Sequence, residues 1–131
     1  MDGETDIKTL LATMQPVLLE APYVFCSIGQ KTYNTLSFSP LGTFREQEGI
    51  SVIMKEEQAN QAGLPFDTTW ACIILMVHSS LSAVGFLAAL ASRLAEAGIS
   101  VNAISAYYHD HLFVPWGSRD AAMNVLKEQF R

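Results

Sequence analysis

Trp70-Ala-Cys-Ile-Ile-Leu-Met-Val77, then His78-Ser-Ser80 and an alanine- and leucine-rich run as far as Gly98, decide the fold. The first eight residues are apolar at odd and even positions alike, which is the pattern of a strand covered on both faces, the second cover being within reach of a partner subunit. Ser79 or Ser80 caps the helix that follows. Its apolar stripe reads as Leu81, Val84, Ala88, Ala91 and Ala95, widened by Leu87 and Leu94. Gly98 supplies a left-handed stop, and Ile99 is placed for the hydrophobic contact that accompanies such caps. A second strand is expected from Ile99 to Tyr107, a tight turn at His109-Asp110, and a third strand from His111 to Pro115. Ser118 caps a last helix, with Asp120 in its first turn and Ala122, Val125, Leu126 and Phe130 on its apolar side.

Strand, helix, strand, strand, helix is a ferredoxin-like unit without its closing strand. Working back along the chain, Tyr23–Ile28 reads as a strand bounded by Pro22 and Gly29. Gly29–Gly42 is a long connection, in which Leu36-Ser-Phe38 could form a short strand. Thr43–Glu46 and Ile50–Met54 make a hairpin about Gln47-Glu-Gly49, and Lys55–Ala62 is a helix stopped by Gly63 with Pro65 beyond. The order repeats, its first helix reduced to the connection. Two units each short of an edge imply exchange of the closing strand, with Val17–Leu19 or Tyr23–Ile28 expected to complete the C-terminal unit. A leading amphipathic helix, Thr5–Met14, precedes them and ends before Pro16. The expected fold is α+β: ferredoxin-like βαββαβ units in tandem, antiparallel sheets with helices on one face. The N-terminal unit is assigned residues 1–66, leading helix included, and the C-terminal unit residues 67–131.

Composition narrows the function. Half of the 131 residues are hydrophobic and 16% are charged, ample for a core. The net charge is -5 and the eight Lys and Arg residues are scattered, so no basic stripe exists for nucleic acid. No signal-peptide pattern is present and no apolar run reaches the ~20 residues that span a bilayer, so a cytoplasmic protein is expected, with no membrane partner. Cys26 and Cys72 lie in apolar strand patterns and read as buried thiols of a reducing compartment.

A strand that feeds a helix through a polar turn leaves backbone N–H groups pointing outward at the positive end of a dipole. Ser79 to Gly85 is therefore expected to face a carboxylate-bearing small molecule, although the two serines are equally explained as helix caps. Gly85 serves helix–sheet packing or opens room for a ligand. Asn102, an amide within an apolar strand, needs a partner if buried, either a ligand or a sheet-edge backbone. His109 and His111 alternate on a strand and could chelate a metal, but only His78 remains as a third histidine, so a polar turn is the preferred reading and no metal site is assigned. Cys72 is buried by pattern, and Ser79 has its only neighbouring base, His78, on the opposite strand face. No phosphate-binding or dinucleotide loop is present. No catalytic residue and no cofactor are expected, and the protein is not read as an enzyme.

His78–Gly85, Leu94–Ile104 and Tyr107–Val114 resemble the small tandem ACT-like proteins, a largely uncharacterised bacterial family. They also resemble the ACT modules of aspartate kinases and of CASTOR-type arginine sensors, and Thr43–Glu46 with Glu48-Gly-Ile50 fits the bacterial subgroup. The resemblance implies a regulatory module that binds a small molecule, usually an amino acid, between paired ACT units. The implied ligand positions are His78, Ser79, Ser80, Leu81, Val84 and Gly85 at the turn and helix start, and Asn102, Ala103 and Ile104 on the neighbouring strand. Asp110 matches the acidic residue with which arginine-sensing relatives read a basic side chain. A homodimer, and a protein partner acted on in trans, follow from the same resemblance. The competing expectations are a dimerising interaction module without ligand, and, third, metal binding through His109 and His111.

Overall fold

The computed structural model describes residues 6–76 and 85–128. The elements run α1 (Ile7–Thr13), β1 (Gln15–Ile28), α2 (Gln30–Asn34), β2 (Gly42–Arg45), β3 (Ile50–Lys55) and α3 (Glu56–Ala62), then β4 (Trp70–Met76), α4 (Phe86–Glu96), β5 (Asn102–Ser105), β6 (Asp110–Pro115), a 3₁₀ turn (Trp116–Ser118) and α5 (Arg119–Glu128). They form two compact units: residues 21–70, and residues 1–20 together with 71–131. Leu10 and Met14 of the leading helix are buried in the core that β4, β6, α4 and α5 also build.

In the N-terminal unit the strand order is β2-β3-β1, all antiparallel. Alternation sends Val24, Cys26 and Ile28 to the same face as Ile50, Val52 and Met54, where Ala59 of α3 completes the core. The long connection after Gly29 holds one short helix, and Tyr33, Leu36 and Phe38 from it pack on this core. No strand forms at residues 36–38. The helix stops early because the Thr35 hydroxyl and N–H both turn back onto the Thr32 carbonyl, at 2.7 and 3.0 Å, closing the chain into a 3₁₀ turn. α3 ends as its sequence predicts: Gly63 takes φ 69°, and the Leu64 N–H donates to the Ala59 carbonyl at 2.9 Å.

In the C-terminal unit the order is β1-β4-β6-β5, the first half of β1 lying in this unit. β1 is therefore the strand that closes it, and its stretch Tyr23–Ile28 pairs with β3 on one side. Val17–Leu19 and Tyr23–Ile28 are one continuous strand rather than two joined by a turn at Ala21-Pro22. Pro22 is tolerated because the ladder to β3 begins only at Tyr23, so its missing N–H costs no bond there. Ala71, Ile73 and Leu75 of β4 and Leu112 and Val114 of β6 face the helices. Ala71, Cys72 and Ile73 are all fully buried, so both faces of β4 are covered along that part, while Met76 at its end is exposed.

The described part of α4 begins at Phe86, and its buried stripe is Phe86, Leu90 and Leu94. This corrects the alanine stripe read from sequence: Ala88 and Ala95 are exposed and Ala91 only half-buried. Spacing alone fits either face, and the large side chains prevail because each removes more apolar area from water. Gly98 takes φ 76° and the Ile99 N–H donates to the Leu94 carbonyl at 2.9 Å, giving the expected stop. β5 is four residues long rather than the nine expected, and Asn102 is exposed on it rather than buried.

The repeat is visible residue by residue in the two hairpins. β2 and β3 pair Gly42 with Ile53 through Arg45 with Ile50; β5 and β6 pair Asn102 with Phe113 through Ser105 with Asp110. In each, the residue after the last pair donates its N–H back across the turn: Glu46 to the Gly49 carbonyl at 2.9 Å, Ala106 to the His109 carbonyl at 3.0 Å.

Candidate functional site

Of the ten residues proposed from sequence as ligand contacts, His78, Ser79, Ser80, Leu81 and Val84 lie outside the described residues. The other five, Gly85, Asn102, Ala103, Ile104 and Asp110, all fall in the C-terminal unit. Gly85 precedes α4 with φ 85° and ψ -9°, a left-handed geometry that side-chain-bearing residues rarely adopt. A Cβ built there meets nothing within 4 Å among the described residues, and the positive φ by itself calls for glycine.

Asn102, Ala103 and Ile104 are exposed on β5, which ends the strand order among the described residues and so has a strand neighbour on one side there. Asp110, opposite Ser105, is half-buried and accepts the Ser105 hydroxyl on Oδ1 at 2.5 Å. By strand alternation Asp110 falls on the side of Leu112 and Val114, the face that the helices cover, whereas His111 falls on the other side with Phe113. The cluster read as His109-Asp110-His111 is therefore split: Asp110 lies on the helix-covered face of β6 and His111 on the other.

The Nδ1 atoms of His109 and His111 are shielded from solvent and have no hydrogen-bond partner among the described residues. Among the described residues no three His, Cys, Asp or Glu side chains come together as metal ligands. Cys26 and Cys72 are free and buried. Burial pushes the Cys26 thiol up, and raises that of Cys72 to about 12, so neither is a thiolate at neutral pH.

The matching corner of the N-terminal unit is differently furnished. Arg45, equivalent to Ser105, donates from Nη1 to Gln30 Oε1 at 2.7 Å, tying the start of α2 to the hairpin. A hollow of about 410 Å³ lies in this unit beside Lys55, Glu56, Glu57 and Asn60. A smaller one of about 190 Å³ is lined by Thr32, Phe38 and Gln61 among others. Sequence reading passed over two exposed rings at the other hairpin, Tyr107 at 73% and Tyr108 at 61% exposure. Setting residues 42–49 beside 102–109 would have shown them, since Gln47 and Glu48 hold the equivalent places.

The comparisons agree with this architecture. The ACT domain family matches residues 2–71, and a second ACT domain match covers residues 66–128. A Vibrio cholerae protein of unknown function, described as a possible transport protein, is 41% identical over 97% of this chain and 98% of its own, with a TM-score of 0.84. The ligand-free regulatory subunit of aspartate kinase from Thermus thermophilus is 13% identical over 92% of this chain and 99% of its own, with a TM-score of 0.73. The corresponding subunit from Thermus flavus is 11% identical over the whole of both chains, with a TM-score of 0.67. No curated protein matches. Among the described residues no helix is long and apolar enough to cross a membrane. Two family matches in sequence, a repeated hairpin register and a ferredoxin-like strand order all describe one chain, which belongs to the ACT domain family as a tandem pair.

Proposed function

We propose that this protein is a non-catalytic regulatory module that binds an amino acid at the corner where β4 leads into α4. The observation that carries the reading is Asp110, a half-buried carboxylate on the helix-covered face of β6, in the same unit as the left-handed Gly85, where a built Cβ meets no described atom within 4 Å. The ligand's α-carboxylate would meet the N–H groups near Ser80 and Leu81, with His78, Ser79 and Val84 around it, as anions are met at helix starts. Its amine would meet carbonyls near Asn102, Ala103 and Ile104, and Asp110 would favour a basic side chain. The tandem ACT matches and the fold shared with aspartate kinase regulatory subunits support a regulatory role.

The same reading makes the protein a homodimer that acts on a protein partner in trans. The alternative is a dimerising interaction module without ligand. The exposed Met76 and Ile104 favour it, since apolar side chains on a sheet invite cover.

Amide chemical shifts test the choice. On titration with arginine, lysine and neutral amino acids, the resonances of Gly85, Asn102, Ile104 and Asp110 should move together for one of them. Shifts confined to β1–β3, or none in any titration, would remove the site from this corner.

A further inference from the structure

The duplicated hairpin is an internal control for what the fold itself requires. Both hairpins have four cross-strand pairs in the same register and the same return bond across a four-residue connection. The first fills that connection with Glu46-Gln47-Glu48-Gly49, polar side chains closed by a glycine. The second fills it with Ala106-Tyr107-Tyr108-His109. The backbone plan does not ask for rings here, since the first hairpin does without them. Nor does the core hold them: Tyr107 is 73% and Tyr108 61% exposed. The rings touch each other edge to face, with centroids 4.8 Å apart. His109 and His111 each hide a nitrogen that finds no partner among the described residues.

We propose that this hairpin tip is a docking surface for a basic segment of a partner protein, an arginine side chain stacking on Tyr107 and Tyr108. Three features fix the partner's chemistry. Between Asn102 and Pro115 there is no Lys or Arg, and the chain as a whole carries -5, so its long-range field draws cations. Exposed tyrosine faces bind a guanidinium through the ring quadrupole and by flat stacking, better than an ammonium. The tyrosines project from a hairpin turn with most of their surface in water, whereas small molecules are held in concave sites that bury most of them. Such rings are covered by a macromolecular partner, and tyrosine and arginine are the residues that anchor such interfaces. The surface is distinct from the amino-acid corner proposed above, which uses neither tyrosine.

Selection of random dodecapeptides against the full-length protein, followed by anisotropy titration of labelled winners, tests this. The selected peptides should be rich in arginine. Their binding should weaken at least tenfold in Tyr107→Ala and Tyr108→Ala and stay within about threefold in the Phe variants, where only the hydroxyl is lost. Glutamate substituted for the peptide arginines should abolish it. The melting response to amino acids should be unchanged in all four variants. Winners without basic residues, or binding indifferent to the two alanine substitutions, would overturn the proposal. So would a dimer that dissociates in Tyr107→Ala, which would make a second copy the occupant. Free arginine competing as well as the peptides would overturn it in favour of a small molecule.

Discussion

Ser105 donates its hydroxyl to Asp110 Oδ1 at 2.5 Å across the last pair of the β5–β6 ladder. The other hairpin repeats the theme with Ser51 donating to Glu46, so each turn of the repeat anchors a carboxylate through a serine. In the C-terminal unit this bond occupies one oxygen of Asp110 and orients the other. A double-mutant cycle with Ser105→Ala and Asp110→Ala in urea unfolding should give a coupling of about 0.5–1.5 kcal/mol. Zero coupling would mean the carboxylate is not held by the serine.

Gly49 is the tightest glycine of the described chain. A Cβ there would stand 2.9 Å from Ser27 Oγ and 3.2 Å from the Ile28 carbonyl oxygen. Gly49→Ala should therefore destabilise by about 1–3 kcal/mol, and Ser27→Gly should recover part of that by removing the nearer atom. Gly85→Ala fails differently, through its φ of 85° rather than through contact, and should cost about 1–2 kcal/mol with no rescue from neighbours.

The phase of α4 is open to a direct comparison. Leu90→Ala empties a fully buried position and should cost about 2–5 kcal/mol. Ala88→Glu and Ala95→Glu, on the exposed side, should fall within about 0.5 kcal/mol of the parent. Equal effects at Leu90 and Ala88 would restore the alanine stripe.

Cys72 gives a pH signature. Its folded pKa, raised to about 12 from 9.0 by burial, lies above the unfolded value. The folded chain then holds a proton that the unfolded chain releases. Stability from this thiol is complete below about pH 9 and is lost as pH rises towards 12, with a slope of up to about 1.4 kcal/mol per pH unit. The parent and Cys72→Ala should show stability curves that converge across that window. Parallel curves would mean that the thiol ionises equally in both states.

Much of this was legible in the chain because punctuation is local. Gly63 and Gly98 sit at helix ends and take the positive φ that their positions called for. The hairpin about residues 47–49 and the two buried cysteines follow from composition within a few residues. What escaped required knowledge of distant partners. Leu10 and Met14 read as a helix face, but nothing nearby says which unit buries it. Pro22 reads as a break until the register shows that β3 needs nothing from its missing N–H. Asn102 reads as an amide that needs a partner if buried, and only the short strand at the end of the order shows it exposed. The candidate site is legible in the same uneven way. Asp110 and Gly85 stand in the expected unit, while the two faces of β6, which separate Asp110 from His111, emerge only once the core is seen.

Thermal unfolding against the twenty amino acids is the most direct measurement of the central claim. A ligand present at 100 times its Kd should add about 2.7 kcal/mol of stability, a shift of several degrees for a chain of this size. Such a shift is expected with one amino acid, a basic one if Asp110 reads the side chain, and its loss in Asp110→Ala and Gly85→Val at matched ligand concentration. A flat panel, or a shift that survives both substitutions, would contradict an amino-acid site at this corner of the C-terminal ACT unit.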